Sequence, residues 1–306
     1  MDYTPSASEL RKGLLLHVLE FAGEYTPAQR AQLSTAVSDL LEQATDTELA
    51  QTVERLRCED FGFCYHPPIM LVKKLHHAMA EVLLAADSRV EGGASLAPIA
   101  DSSLILLPNH LSYADANLIE VLLHRAGFDS VSSRLTVVAG PKVYTKPWRR
   151  FASSCFGTIK TAQSSQVSSG DAVMRPRDVA RIARETIACT ADRLSAGDAL
   201  LLFGEGSRSR DSTLQPLLPA VARYCDRPNL WLVPCGIVGT EKFLGFADVR
   251  PQTTEAVLRI GTPVLATDLI TRCNGNRSEL VLALGHMIAQ ALPAAYRGVY
   301  GDPVSL

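Results

Sequence analysis

The sequence predicts an α/β protein, a mixed and largely parallel sheet flanked by helices and preceded by a smaller N-terminal helical bundle, with the division at residues 1–92 and 93–306. Three observations carry this. Apolar residues recur at helical spacing in four successive stretches of the first ~90 residues. After Gly92-Gly93 the texture changes to short β-type runs alternating with helical or loop stretches. And 306 residues suffice to bury a substantial core, as one large domain or as a main domain with a smaller one.

The elements follow in order. Ser6 with Glu9 caps a first helix whose Leu10, Leu14, Val18 and Phe21 share a face. Thr26-Pro27 with Gln29 opens a second, carrying Leu33, Val37, Leu40 and Leu41, and Thr45 with Glu48 opens a third through Leu49, Val53 and Leu56. After the break at His66-Pro67-Pro68 a fourth runs from about Ile69 to Ala86. Four short amphipathic helices imply a bundle. The β-type runs are Leu104 to Leu107, Leu135 to Ala139, Ala199 to Phe203, Leu230 to Val233 and Ala256 to Ile260, with a closing helix from about Ser278 to Leu292. The Ser-rich stretch from Ser164 to Arg177 reads as a loop over the sheet's edge.

Composition narrows the function classes. The formal net charge of −2 gives no global field favouring nucleic acid. The longest apolar runs, such as Leu200-Leu201-Leu202-Phe203, fall far short of the ~20 residues of a membrane span. Met1-Asp2-Tyr3-Thr4-Pro5 lacks the basic start and apolar core of a signal peptide, so the expected compartment is the cytoplasm, with surface contact to a membrane open through the first helix or Trp148 beside Arg149 and Arg150. The seven cysteines show no C-x-x-C spacing, so neither a zinc site nor a disulfide framework is expected, and no histidine suggests an activated thiol nucleophile.

The most informative segment is Pro108-Asn109-His110-Leu111-Ser112-Tyr113-Ala114-Asp115, directly after the apolar run Leu104 to Leu107. Five residues along a helix carry a side chain about 140° past a full turn, so His110 and Asp115 meet only if the histidine precedes the helix. Ser112 followed by Asp115 reads as a capping box, which places His110 on the strand-to-helix turn. A carboxylate there accepts one ring N–H and leaves the other nitrogen free to take a proton, as a general base requires. A strand-end histidine beside an ordinary capping aspartate has the same sequence. The second segment is Phe203-Gly204-Glu205-Gly206-Ser207-Arg208-Ser209-Arg210. Its glycines let backbone approach a ligand, and it lies beyond the carboxyl end of a strand, as ligand sites in open α/β sheets do. Arg208 and Arg210 suit a phosphate or carboxylate, and Glu205 suits hydroxyl donors. A polar turn with solvated arginines is the alternative reading.

Taken together and in this order, the segments resemble the glycerolipid acyltransferases, the family of glycerol-3-phosphate and lysophosphatidate acyltransferases, over roughly residues 100–240. Asn109-His110 through Asp115 matches the family's first block, and Phe203 to Ser209 resembles its third, with Gly204 and Ser207 in place of Pro and Thr. Val233-Pro234 followed by Gly239-Thr240 resembles the fourth. In the second, Gly157 to Gln163, Gln163 stands where many members carry a phosphate-holding arginine. The N-terminal bundle, Val138-Ala139-Gly140 with Lys142-Val143 and Pro147, and the Arg208-x-Arg210 pair draw the resemblance towards the soluble, plastid-type glycerol-3-phosphate acyltransferases, though that branch's Lys-His pair after the second block is absent.

The resemblance implies transfer of a fatty acyl group from acyl carrier protein or coenzyme A to a hydroxyl of glycerol 3-phosphate or 1-acylglycerol 3-phosphate. His110 and Asp115 would be catalytic, with Glu205, Gly206, Ser207, Arg208 and Arg210 on the acceptor and Val233 and Pro234 at the acyl chain. Lys142 and Lys160, and after them Arg149, Arg150, Arg175 and Arg177, are candidates for the missing cations. The thioester is a co-substrate, and no metal or cofactor is implied. The same chemistry on an unphosphorylated lysolipid or specialised metabolite is the first rival reading. The second is a non-catalytic lipid- or carrier-protein-binding module.

Overall fold

The computed structural model describes residues 5–23, 25–58, 62–162, 174–246 and 250–301. Gln163 and most of the Ser-rich stretch lie outside the described residues. Among the described residues nine strands form one sheet: β1 (Tyr65–His66), β2 (Arg89–Glu91), β3 (Leu104–Pro108), β4 (Leu135–Ala139), β5 (Gly157–Lys160), β6 (Ala199–Leu201), β7 (Trp231–Val238), β8 (Val257–Ile260) and β9 (Val264–Leu265). The order is β1-β5-β4-β6-β3-β7-β8-β2, with β9 beside the start of β7. The run β5-β4-β6-β3-β7 is parallel throughout, while β1, β8 and β9 pair antiparallel, so the sheet is mixed and largely parallel as expected.

Ser6, Thr26 and Thr45 each form the expected reciprocal capping box, opening α1 (Ala7–Phe21), α2 (Pro27–Gln43) and α3 (Asp46–Arg57). The fourth helix, α4, is Met70–Leu83. Further helices are α5 (Asp115–Arg125), α6 (Asp129–Ser132), α7 (Pro147–Ser153), α8 (Pro176–Ser195), α9 (Thr240–Phe243), α10 (Ala266–Arg272) and α11 (Arg277–Ala291). Two strands, β1 and β2, come from the N-terminal stretch that was expected to be purely helical; both are too short to carry a period-2 pattern.

The central strand shows how the layers form. All five residues of β3 are buried, and they alternate between two cores. Leu104 and Leu106 join the core that includes Leu14, Leu33, Leu49 and Leu75 of α1–α4, whereas Ile105 and Leu107 join Leu280 and Leu284 of α11. The N-terminal helices and one face of the sheet therefore share a single apolar core. Leu14 and Val18 of α1 are buried in it, and Trp148 stacks on Phe21 at 5.5 Å. Among the described residues no helix is long and apolar enough to cross a membrane.

Candidate active site

The chain leaves β3 at Pro108 and enters α5 at Asp115, and the turn between them is pinned at three points. Asn109, fully buried, donates to the Ile237 carbonyl (3.0 Å) and accepts from its N–H (2.7 Å), tying the turn to β7. The His110 N–H donates to Glu205 Oε1 at 2.6 Å, and the His110 carbonyl accepts from Ser209 N–H at 2.8 Å. Asp115 Oδ2 accepts from His110 Nδ1 (2.8 Å), Leu111 N–H (2.7 Å) and Ser112 N–H (2.9 Å). The predicted pairing is present, and it fixes the tautomer: Nδ1 carries the proton given to Asp115, which leaves Nε2 as the acceptor. The aspartate is fully buried, the imidazole only partly so, and Phe203 stacks on the ring at 4.1 Å between centroids.

The capping detail differs from expectation. Half the box forms, since Asp115 reaches back to Ser112 N–H, but Ser112 Oγ accepts from Ala114 N–H and donates to the Leu244 carbonyl. Ala114 is the N-cap and Asp115 the first helical residue, because Asp115 Oδ2 also serves His110 and Leu111. These bonds use the amides of residues 110–112, so none of them is a donor for a developing oxyanion.

Glu205 departs from the expectation of hydroxyl donors: its side chain is buried and both oxygens accept backbone N–H groups, from His110 and from Gln215 (2.7 Å). It positions the His110 turn. Burial outweighs those two hydrogen bonds and pushes its carboxyl up to about 8. Gly206 beside it has φ +70°, a left-handed conformation that glycine adopts without strain. Ser207 and Arg210 are exposed, the latter with its guanidinium 5.5 Å from the Phe246 ring.

Arg208 lies against Tyr113, 3.6 Å from the ring centroid, and donates weakly to the Phe246 carbonyl at 3.3 Å. Burial lowers its pKa from the ordinary value. A second guanidinium, of Arg149, packs 4.0 Å from the same ring and 4.9 Å from Trp148. Of the other cations, Arg150 is buried and donates to the Leu56 and Tyr144 carbonyls, Arg175 pairs with Asp178, and Arg177 is exposed on α8. Lys160 stands on β5, three strands from β3, with its ammonium against the rings of Phe63 and Tyr144, so it is not brought to His110. Lys142 adjoins α7, where its carbonyl accepts from Arg149 Nη1 at 3.1 Å.

Val233 and Pro234, expected at the acyl chain, do not line the cavity beside the histidine turn. Val233 is fully buried in the sheet opposite Leu106, and Pro234 lines a cleft with Glu91, Arg259 and Gln290 at the side of α11. The apolar cavity that adjoins the histidine turn is instead lined by Phe21, Met79, Leu83, Tyr113, Trp148 and Phe243 among others. It was missed because its wall comes from α1, α4 and α7, whose apolar faces look the same in sequence whether they line a pocket or fill a core. Cys64 and His66 also meet, with Sγ to Nε2 at 3.8 Å. That nitrogen sits 3.0 Å from the Gly62 carbonyl, to which it must donate, so it is not placed to take the thiol proton. Among the described residues no group of three or more His, Cys, Asp or Glu is arranged to hold a metal ion.

The sequence description of the acyltransferase family matches residues 88–238, which contain β3, the histidine turn and the glycine-rich segment. Residues 88–238 of this chain belong to the acyltransferase family. The fold of this acyltransferase is similar to that of PlsC from Thermotoga maritima, a 1-acyl-sn-glycerophosphate acyltransferase, with a TM-score of 0.51 at 16% identity over 92% of this chain and 96% of that one. No curated protein matches the acyltransferase in sequence.

Proposed function

We propose that this acyltransferase moves a fatty acyl group from a thioester of acyl carrier protein or coenzyme A to a hydroxyl of glycerol 3-phosphate or 1-acylglycerol 3-phosphate, with His110 as general base. The observation that carries the reading is the 2.8 Å contact between His110 Nδ1 and the buried Asp115, in a member of a family named for acyl transfer. As the acceptor oxygen attacks the thioester carbonyl, its proton passes to His110 Nε2 and the new C–O bond forms. Asp115 stabilises the imidazolium at Nδ1. The tetrahedral intermediate collapses by breaking the C–S bond, and the thiolate leaves to take the proton. General-base help of this kind contributes roughly 10²–10⁴ in rate.

Arg208 supplies charge for the acceptor's anionic group at the edge of the same turn. The acyl chain enters the cavity beyond Tyr113. The likeness to PlsC, a 1-acyl-sn-glycerophosphate acyltransferase, supports a glycerolipid acceptor. The test is release of free thiol from palmitoyl thioesters of coenzyme A and of carrier protein, with and without glycerol 3-phosphate or 1-acylglycerol 3-phosphate. Acceptor-dependent release that falls by about 10²–10⁴ in His110→Ala is the expected result. Thioester binding without turnover would instead make the chain a binding module.

A further inference from the structure

We infer that Arg149 is a specificity-determining residue, holding the phosphate of the acceptor jointly with Arg208. The inference deepens the proposed function and rests on it. Its ground is a charge imbalance. Two guanidinium groups are held against one tyrosine ring, at 3.6 Å for Arg208 and 4.0 Å for Arg149, only three residues after His110. The Arg149 charge acts against that of Arg208, and a bound counter-charge would relieve the repulsion.

The described residues hold no such partner for either. Every ion pair of the described residues omits Arg149, Arg208 and Arg210. Asp115 contributes charge to Arg208 from farther off, but its Oδ2 is committed to His110 and two backbone N–H groups. Arg149 donates from Nη1 to the Lys142 carbonyl, and Arg208 donates from Nη1 to the Phe246 carbonyl and hydrogen-bonds the Tyr113 side chain. Arg149 Nε is buried with no partner at all. Most of the five N–H donors on each guanidinium thus stay open, as a multidentate oxyanion such as a phosphate monoester requires.

The position explains why both can serve one ligand. Arg208 comes from the segment after β6, and Arg149 from α7, anchored through Lys142 and stacked on Trp148. Tyr113 and Trp148 also line the mouth of the apolar cavity. An acceptor whose hydroxyl meets His110 would place its phosphate between the arginines and leave the cavity to the acyl chain. Arg149 in this arrangement supplies the second positive charge that Gln163 cannot.

The experiment is steady-state kinetics of wild type, Arg149→Met and Arg149→Lys with 1-acylglycerol 3-phosphate and with 1-monoacylglycerol, and competitive inhibition by inorganic phosphate in each. One charge-assisted contact corresponds to about a 10- to 100-fold change. Arg149→Met is expected to raise KM for the phosphorylated acceptor by that factor with little change in kcat, to weaken phosphate inhibition in parallel, and to leave any turnover of monoacylglycerol unchanged. Arg149→Lys recovers part of the loss. An equal fall on both acceptors, a fall in kcat with KM and phosphate inhibition unchanged, or a wild type that is insensitive to phosphate and refuses the phosphorylated acceptor would overturn the inference. Undiminished turnover in His110→Ala would instead overturn the proposed function, so the two failures are distinguishable.

Discussion

At the scale of single residues, the site is one imidazole oriented by one buried carboxylate and one backbone turn held by another. The first relation was legible because His110 and Asp115 fall within a single short segment whose spacing lets them meet when the histidine precedes the helix. The second was not. Glu205 lies 95 residues away and acts on backbone N–H groups, which no side-chain motif encodes. Its value of about 8 stands above the ordinary 4.5, so the folded state keeps a proton that the unfolded chain gives up. Stability from this residue is therefore lost as pH rises from about 4.5 to 8. Glu205→Gln removes that titration and leaves one N–H facing an amide NH₂ instead of an oxygen. The expected results are a flatter profile of unfolding free energy against pH, a loss of about 1–3 kcal/mol at low pH, and a fall in kcat as the histidine turn shifts. Denaturant titration across that pH range checks the slope; an unchanged slope would mean that Glu205 is not the group responsible.

At the scale of elements, the helix that begins with Asp115 must be seated for the pairing to hold, and α4 seats it with buried charge. Lys73 Nζ lies 2.9 Å from Glu120 Oε1 and donates to the Ser132 carbonyl, while His77 Nε2 meets Glu120 Oε2 at 2.8 Å. Glu120 is fully buried. Burial alone would raise its carboxyl, but the hydrogen bond and charge of His77 and the charge of Lys73 outweigh it and hold the group below its ordinary value. That contribution is present above the ordinary carboxylate value and is lost as pH falls through the folded one. Removing one partner strands a buried charge, whereas removing both does not. Lys73→Met should lower stability by about 3–5 kcal/mol, and Lys73→Met with Glu120→Leu should lose clearly less than the two single changes added. Thermal unfolding of the four proteins measures the coupling, and strict additivity would count against the pair. The caps of α1 to α3 could be read directly because each is a contact three residues apart; this network could not, because its members lie 43 to 59 residues apart.

At the scale of the whole molecule, fold class was legible because alternation of period governs it, and β3 with its two buried faces shows that rule at work. The cavity proposed for the acyl chain was not, because only the assembled chain creates it, from α1, α4, α5, α7, α9 and the segment after it. Its free volume is ≈ 30 Å³, too small for a long acyl chain, so such a chain enters only when the walls part. The stacked Phe21 and Trp148 are the natural point of opening, since both line the cavity and Phe21 belongs to an N-terminal helix rather than to the sheet. Two changes should then act in opposite directions. Phe21→Ala widens the cavity, and Ala80→Leu, at a buried wall position on α4, narrows it. Each methylene that finds an apolar site is worth about 0.8 kcal/mol, a factor of roughly 4 in kcat/KM. Across thioesters of 8 to 18 carbons, Phe21→Ala should move the preferred length upward and Ala80→Leu downward by roughly two to four carbons. A general loss of stability would lower turnover of every length alike, so shifts of opposite sign are the signature of an acyl chain in this cavity, and parallel profiles would place the chain elsewhere.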